Sequence, residues 1–317
     1  FHAGLPATRT LQQHRKIVIY SGEGLPYGKY PRLIMAYIIT RTVENAGRLK
    51  EGKINHEEAL HIPLGRSMNQ FLQAIGIGQR GTGGSKGTLT IVREQLLRLA
   101  DSRITVKSDD GIRARGKHTQ IVDDWDLWFD TRDPNQGSFI ESYLKLTPQF
   151  FEHVAESPIP IDLNVLRELN KPRAMDLYIW LTVKQYWLAK NNRDAYTFIW
   201  EMIATSFATK ELATGQDWAH FRAEIKKAIL ELSTAWPNAG ITADTDGVTV
   251  TRTAPSVQQK PPRPELDYAE RRRLAPYGAL SFYPKAPAQI YRYTPSYPQG
   301  FTCGFTYFPR WLITISL

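Results

Sequence analysis

The sequence predicts an α+β protein with two winged helix-turn-helix domains, at 1–135 and 138–256, and a poorly ordered C-terminal tail at 257–317. Three observations lead to this prediction. A helix, a glycine-rich turn, a second helix and a β-hairpin follow one another between 64 and 118, which is the element order of a winged helix. A second helix and hairpin at 217–253 repeat that ending. Beyond this second hairpin the composition changes abruptly.

The first helix-turn-helix is identified by two apolar stripes with helical spacing. The stripe residues are Met68, Phe71, Leu72 and Ile75 in the first helix, and Leu89, Val92, Leu96 and Leu99 in the second. Lys86, Thr90 and Arg93 lie on another face of the second helix, and Arg80 lies in the glycine-rich turn. We therefore predict that 87–101 lies in a DNA major groove.

A hairpin follows this helix because an Asp-Gly pair at 110–111 separates two β-prone runs. Residues alternate between the two faces of a strand, so Arg113, Arg115 and Lys117 share one face of the second strand. A wing that contacts DNA is expected to be basic at this position. These three cations are therefore candidate DNA contacts.

The second helix and hairpin show the same division into an apolar and a basic face. The apolar residues of the helix are Phe221, Ile225, Ala228, Ile229 and Leu232. Arg222, Lys226 and Lys227 face outward, and Arg252 lies in the hairpin, which turns at Asp246-Gly247. These four cations form the second set of candidate DNA contacts.

The other elements follow from periodicity and turn signals. Strands are predicted at 16–20, 119–129 and 143–146, and helices at 31–47, 147–155, 163–169, 173–189 and 197–207. Ten of the twenty prolines lie in 255–317. So much proline prevents a regular helix or ladder, which is why a poorly ordered tail is predicted there.

The net charge of +9 and the pI near 9.5 favour a polyanionic partner, with nucleic acid first and an anionic membrane surface second. A bland alternative is that the charge only aids solubility. Between residues 79 and 118 there are nine Lys and Arg against four Asp and Glu, so the charge is concentrated on the first helix-turn-helix and its hairpin.

The single cysteine, Cys303, excludes a disulfide framework and a cysteine-rich zinc site, which suits the cytoplasm. No apolar run is long enough to span a membrane.

Two glycine-rich patterns suggest nucleotide binding, and neither has its required context. Gly76, Gly78 and Gly81 match the dinucleotide fingerprint, which needs a preceding strand, whereas a helix is predicted here. The run at 83–87 lacks the Gly-Lys-Ser/Thr order of a phosphate-binding loop. We expect no cofactor.

The candidate metal ligands are equally weak. His56 and His61 are five residues apart, which places them on different helix faces and not at zincin spacing. Asp123, Asp124 and Asp126 are suited to magnesium, but a solvated strand face is the simpler interpretation. We expect neither a metal site nor an enzymatic activity. A nuclease or a nucleotide-binding protein that uses 76–81 or 123–126 stays open as an alternative.

Four runs of the sequence resemble the plasmid-encoded RepA replication initiator family. They are GLPYGKYPRLIMAYI (24–38), LGRSMNQFLQAIGI (64–77), TGGSKGTLTIVREQLLRL (82–99) and PIDLNVLRELNKPRAMDLYIWLTVKQYWL (160–188). The resemblance extends over about 24–256. It implies a cytoplasmic initiator that binds repeated double-stranded sequences at the plasmid origin, helps to open the origin without catalysis, and recruits host replication proteins, a helicase or an initiator. A homodimer is a further expected assembly, and a winged-helix autorepressor without an initiator role is the alternative.

Overall fold

Helices and short antiparallel strands alternate along the chain, so the α+β class is confirmed. The structure is a computed structural model that describes residues 7–12, 15–78, 87–109, 114–127, 141–156 and 161–256. The helices are α1 (Lys29–Lys50), α2 (His56–Leu60), α3 (Met68–Ala74), α4 (Thr88–Ala100), α5 (Pro148–Glu156), α6 (Leu163–Glu168), α7 (Pro172–Lys190), α8 (Trp200–Phe207) and α9 (Gly215–Ala235). The strands are β1 (Ala7–Gln12), β2 (Arg15–Tyr20), β3 (His61–Gly65), β4 (Arg103–Asp109), β5 (Ala114–Gln120), β6 (Val122–Asp126), β7 (Ser142–Leu146), β8 (Ala195–Ile199), β9 (Ile241–Ala243) and β10 (Gly247–Thr251).

Most of the predicted elements are present, and the prediction of one helix over 197–207 is wrong at its beginning. Residues 195–199 form β8, and only from Trp200 onward is the chain helical. Phe198 lies opposite Val248 of β10 in an antiparallel ladder, and both side chains are buried. Pairing with a strand some fifty residues away overrides the local helical pattern, because Phe198 gains burial as a strand residue.

Two other boundaries also differ from the prediction. Helix α1 continues to Lys50, beyond the predicted end at 47, and Arg48 and Lys50 in its last turn complement the negative end of the helix dipole. The strand predicted over 119–129 is divided, because β5 ends at Gln120 and β6 pairs with a different sheet.

The strands of the described residues form three antiparallel sheets. Their orders are β1-β2-β4-β5, β3-β7-β6 and β8-β10-β9. In the second sheet, β7 follows residue 138 yet pairs with β3 and β6, which precede residue 135. Every described residue lies in one compact unit. The two-domain division at 1–135 and 138–256 stays a prediction, and the tail at 257–317 lies outside the described residues.

Helix α1 lies at the centre of the hydrophobic core and packs against α4, α5 and α7. Ile34 and Ile38 of α1 are completely buried. The α1–α7 contact also contains a buried ion pair, in which Arg32 donates through Nε and Nη2 to the two carboxylate oxygens of Asp176 at 2.6 and 2.8 Å. A third hydrogen bond joins the Arg32 guanidinium to the carbonyl of Gly28, just before α1. This pair connects the part of the chain that contains α4 to the part that contains α9.

Candidate nucleic-acid interface

Helix α9 carries three of the predicted DNA contacts at exposed positions. A capping box starts the helix, with the Thr214 hydroxyl accepting the backbone N–H of Asp217 and the Asp217 carboxylate accepting the backbone N–H of Thr214. The predicted apolar stripe of this helix is buried throughout. Arg222, Lys226 and Lys227 are all exposed. The amphipathic pattern therefore directs these cations to solvent, as predicted.

The Asp217 carboxylate makes its contacts at the beginning of α9. The Lys210 ammonium lies 2.6 Å from this carboxylate, and the Thr214 hydroxyl donates to it at 2.6 Å. These contacts lower the pKa of Asp217 to about 2, with the Lys210 hydrogen bond contributing most. The carboxylate therefore stays ionised and serves the cap.

The other two acids of α9 also have partners within the protein. Glu224 lies 3.5 Å from the guanidinium of Arg173. Glu231 accepts the backbone N–H groups of Asn170 and Lys171, at 2.7 and 3.0 Å, at the beginning of α7. The acids of α9 thus neutralise cations or helix ends of the protein, and among the described residues the cations of α9 form no ion pair. The exposed face is left with a net positive charge.

Arg222 lies against two tryptophan rings. Its Cζ atom is 5.5 Å from the ring centroid of Trp200 and 5.8 Å from that of Trp218. Phe221 contacts both rings edge to face. Sequence reasoning identified Arg222 but missed this aromatic platform. Trp218, one helical turn before Arg222, was the available signal, whereas Trp200 comes from another helix.

The turn of the β9–β10 hairpin is acidic and does not supply the cations expected of a wing. Asp244 and Asp246 are exposed in this turn. The pKa of Asp244 lies below its usual value because its carboxylate accepts the backbone N–H groups of Gly247 and Asp246, and the charge of Lys226 lowers it further. Lys226 is therefore the cation of α9 whose charge acts on this turn.

Arg252 is exposed at the opposite end of β10 from the turn. Its backbone N–H donates to the carbonyl of Asp194 at 2.7 Å, just before β8. The five residues of β10 separate Arg252 from the turn by roughly 15 Å. The structure therefore does not bring Arg252 together with Lys226, although the sequence pattern grouped them.

Helix α4, the predicted reading helix of the first unit, offers less exposed surface. Every residue of α4 is buried or half-buried, including Thr90 and Arg93. The Arg93 guanidinium has no hydrogen-bond partner among the described residues. Arg98 on the same helix donates to the carbonyl of Leu25 at 3.1 Å and lies 5.1 Å from the ring centroid of Tyr27. Arg98 therefore braces the protein, and Arg93 stays the candidate contact of this helix.

The remaining predicted contacts are described only in part. Arg80, Lys86 and Arg113 lie outside the described residues. The backbone of β5 places Arg115 opposite Ser108 and Lys117 opposite Val106, in the predicted antiparallel hairpin.

Gly76 and Asp124, two residues of the enzymatic alternative, have a structural role or contact. Gly76 follows α3 with a φ of +82°, a helix-terminating conformation that glycine adopts readily, and the element directly before it is a helix. Tyr143 donates to Asp124 at 3.1 Å, and this hydrogen bond raises the pKa of Tyr143. In the described part of the chain, no group of three or more His, Cys, Asp or Glu is arranged to hold a metal ion.

None of the described helices is both long and apolar enough to cross a lipid bilayer.

Comparison with solved structures shows a fold shared with RctB. Domains 2 and 3 of RctB, as a selenomethionine derivative, superpose with a TM-score of 0.51 at 10% sequence identity, over 80% of this chain and 92% of that chain. A second crystal structure of RctB domains 2–3 gives a TM-score of 0.48 at 11% identity over the same shares. No curated protein sequence is significantly similar to the chain.

A family model described as plasmid-encoded RepA protein matches residues 25–202, more than half of the chain. The match includes three of the four runs that resemble this family completely and the fourth apart from its first residue, and it ends before α9. The chain therefore belongs to the family of plasmid-encoded RepA proteins.

Proposed function

We propose that this protein initiates plasmid replication by binding repeated duplex sequences at the plasmid origin and helping to open the neighbouring DNA. Membership of the plasmid-encoded RepA family supports the replication role. The exposed cationic face of α9 supports the contact with DNA. Opening would draw on binding free energy that bends and unwinds the duplex, with no covalent step and no cofactor.

The arrangement around α9 supports a winged-helix mode of binding. β8, α8, α9, β9 and β10 follow one another, and β8 closes the sheet by pairing with β10. In this mode the second helix of the helix-turn-helix enters the major groove, which assigns that position to α9. The helices α3 and α4 with the hairpin β4–β5 form the corresponding region earlier in the chain and would contact a second stretch of the same repeat.

One observation carries this proposal: the acids of α9 contact other groups of the protein, whereas its three Lys and Arg residues are exposed and form no ion pair among the described residues. Arg222, Lys226 and Lys227 have no ion-pair partner among the described residues, while Asp217, Glu224 and Glu231 all do contact protein groups. A surface that only aids solubility would be expected to mix both signs. A segregated cationic face gives affinity for phosphates and a steep dependence on salt.

Further partners follow from the replication role. A host helicase or initiator would join the protein at the opened origin in the cytoplasm, and a second copy of the chain would form a homodimer. A protein that binds the same repeats only to repress its own gene is the alternative.

Footprinting on the DNA that flanks the gene tests the proposal. Wild-type protein should protect repeated segments, and Lys226→Ala with Lys227→Ala should lose protection and lower the salt dependence. Arg93→Ala reports separately on α4. Unchanged protection in the α9 variant would contradict the assignment of α9. If the protein protects these segments but a plasmid that carries this DNA does not replicate, the result would favour the alternative, a protein that only represses its own gene.

A further inference from the structure

Arg222 differs in its contacts from Arg32, Arg98 and Arg173. The guanidinium groups of Arg32, Arg98 and Arg173 all donate to oxygen atoms of the protein. The Arg222 guanidinium has no such oxygen among the described residues, although it lies against Trp200 and Trp218. A cation–π contact uses none of the N–H groups of a guanidinium, so these groups stay available for hydrogen bonds.

The platform beneath Arg222 is itself fixed by the fold. Trp200 is buried, and its indole N–H donates at 3.0 Å to the carbonyl of Thr245 in the turn of the β9–β10 hairpin. Trp218 is half-buried on α9, one turn before Arg222. The platform therefore joins the beginning of α8, the hairpin turn and α9, and the guanidinium lies against its two rings.

The position of Arg222 on α9 indicates what its free N–H groups meet. At about 100° per residue, the line opposite the buried stripe passes close to Ala223 and Leu230, and Leu230 is 71% exposed. Arg222 lies roughly a quarter-turn from this line, on the flank shared with Lys226. When a helix lies in the major groove, its outermost line faces base edges and its flanks face the backbones.

We propose that Arg222 anchors α9 by binding one DNA backbone phosphate through two parallel N–H groups, and that Trp218 and Trp200 are its positioning residues. This inference rests on the proposed function and specifies the ligand group as a phosphodiester. A planar guanidinium with a free fork matches two phosphate oxygens. The anchor sets the register of α9 in the groove and carries no sequence information of its own.

The test uses the full chain and two probes, a duplex pool selected by the wild-type protein from random sequence and a duplex of arbitrary sequence. Arg222→Lys should weaken binding to both probes by the same factor, about tenfold, because the charge stays while the paired hydrogen bonds and the stacking are lost. Its salt slope should stay that of the wild type, whereas Arg222→Ala should lower the slope by about one. Gln216→Ala, on the outer side of the first turn of α9, is the matched control, and its effect should differ between the probes.

A double-mutant cycle tests the positioning role. Trp218→Leu should weaken binding about threefold in the wild-type background and have no effect in Arg222→Ala, because Trp218 acts through Arg222. An equal loss in both backgrounds would show a merely structural tryptophan. A selected sequence that changes with Arg222→Lys would show that Arg222 reads a base. If the wild-type protein selects no sequence, the proposed function fails. If it selects a sequence and Arg222→Ala binds DNA as tightly as the wild type, only the phosphate anchor at Arg222 fails.

Discussion

The two helix–hairpin regions share an order of elements and use it differently. In the first, α3 and α4 precede β4 and β5, while the hairpin joins β2 and β1, and β3 pairs elsewhere with β7. In the second, α8 and α9 precede β9 and β10, and β8, the strand directly before α8, closes the sheet by pairing with β10. The first hairpin therefore pairs with a strand from the beginning of the chain, whereas the second pairs with the strand that directly precedes its own two helices.

The arginines of the two helices show the consequence of this difference. Arg98 of α4 has a side chain that is 17% exposed and is held by Leu25, Tyr27 and Glu94. Arg222 of α9 is exposed and lies against two tryptophan rings. The same residue type on corresponding helices thus braces the fold in one region and stays available to a ligand in the other.

The largest effect is expected from breaking the buried ion pair between α1, which packs against α4, and α7, which packs against α9. Asp176→Ala leaves the Arg32 charge buried without its partner and should lower the free energy of unfolding by about 3–5 kcal/mol. Chemical denaturation followed by tryptophan fluorescence measures this change. The double variant Arg32→Met, Asp176→Leu is the control and should recover most of the loss, since it removes both charges. A single variant that loses less than about 1 kcal/mol would contradict the role of the pair, and a transition that splits in two would show that the regions fold separately.

The next largest effect is expected from removing one arginine from each helix, Arg98 from α4 and Arg222 from α9. Arg98→Ala should cost about 1–3 kcal/mol of stability, because the Leu25 carbonyl loses its donor, and should leave the salt slope of DNA binding unchanged. Arg222→Ala should change stability by less than about 1 kcal/mol and weaken DNA binding. Thermal unfolding and fluorescence anisotropy on the two proteins separate these outcomes. Equal effects on stability and binding in both variants would remove the distinction between a bracing and a binding arginine.

A smaller effect is expected from the acids of α9. Glu231→Gln should lower stability by about 0.5–1 kcal/mol, because the charge next to the first N–H groups of α7 is lost. Glu224→Gln is the matched control, since the Glu224 side chain is 64% exposed and its loss should be close to zero. Neither variant should weaken DNA binding. A binding loss with Glu231→Gln would show that this flank of α9 also faces the DNA.

The smallest effect is the pH dependence of the α9 cap. The pKa of Asp217 is lowered from its ordinary value of 3.8 to about 2, so its contribution to stability is complete above pH 3.8 and disappears as the pH falls through 2. The difference in Tm between wild type and Asp217→Asn should therefore shrink between about pH 5 and pH 2. A difference that stays constant over this range would show that the charge of Asp217 does not stabilise the cap.

The sequence by itself predicted most of the helices, both hairpins and the residues of α9 that are exposed. Periodicity is a local property, so the spacing of Phe221, Ile225 and Leu232 predicts both the helix and the residues that must point away from the core. Four sequence runs also indicated the family without any tertiary contact. The turn chemistry at Asp246-Gly247 placed the second hairpin correctly.

Only the tertiary structure decided which strands pair and which cations are available. Periodicity shows that a face is buried but does not identify what covers it, so the strand β8, the pairing of β3 with β7 and the buried Arg32–Asp176 pair were not predictable from local patterns. The same reason separates Arg98 from Arg222 and Arg252 from Lys226. A charge reaches a ligand only where no oxygen of the protein already holds it, and the distant parts of the chain determine where those oxygens lie.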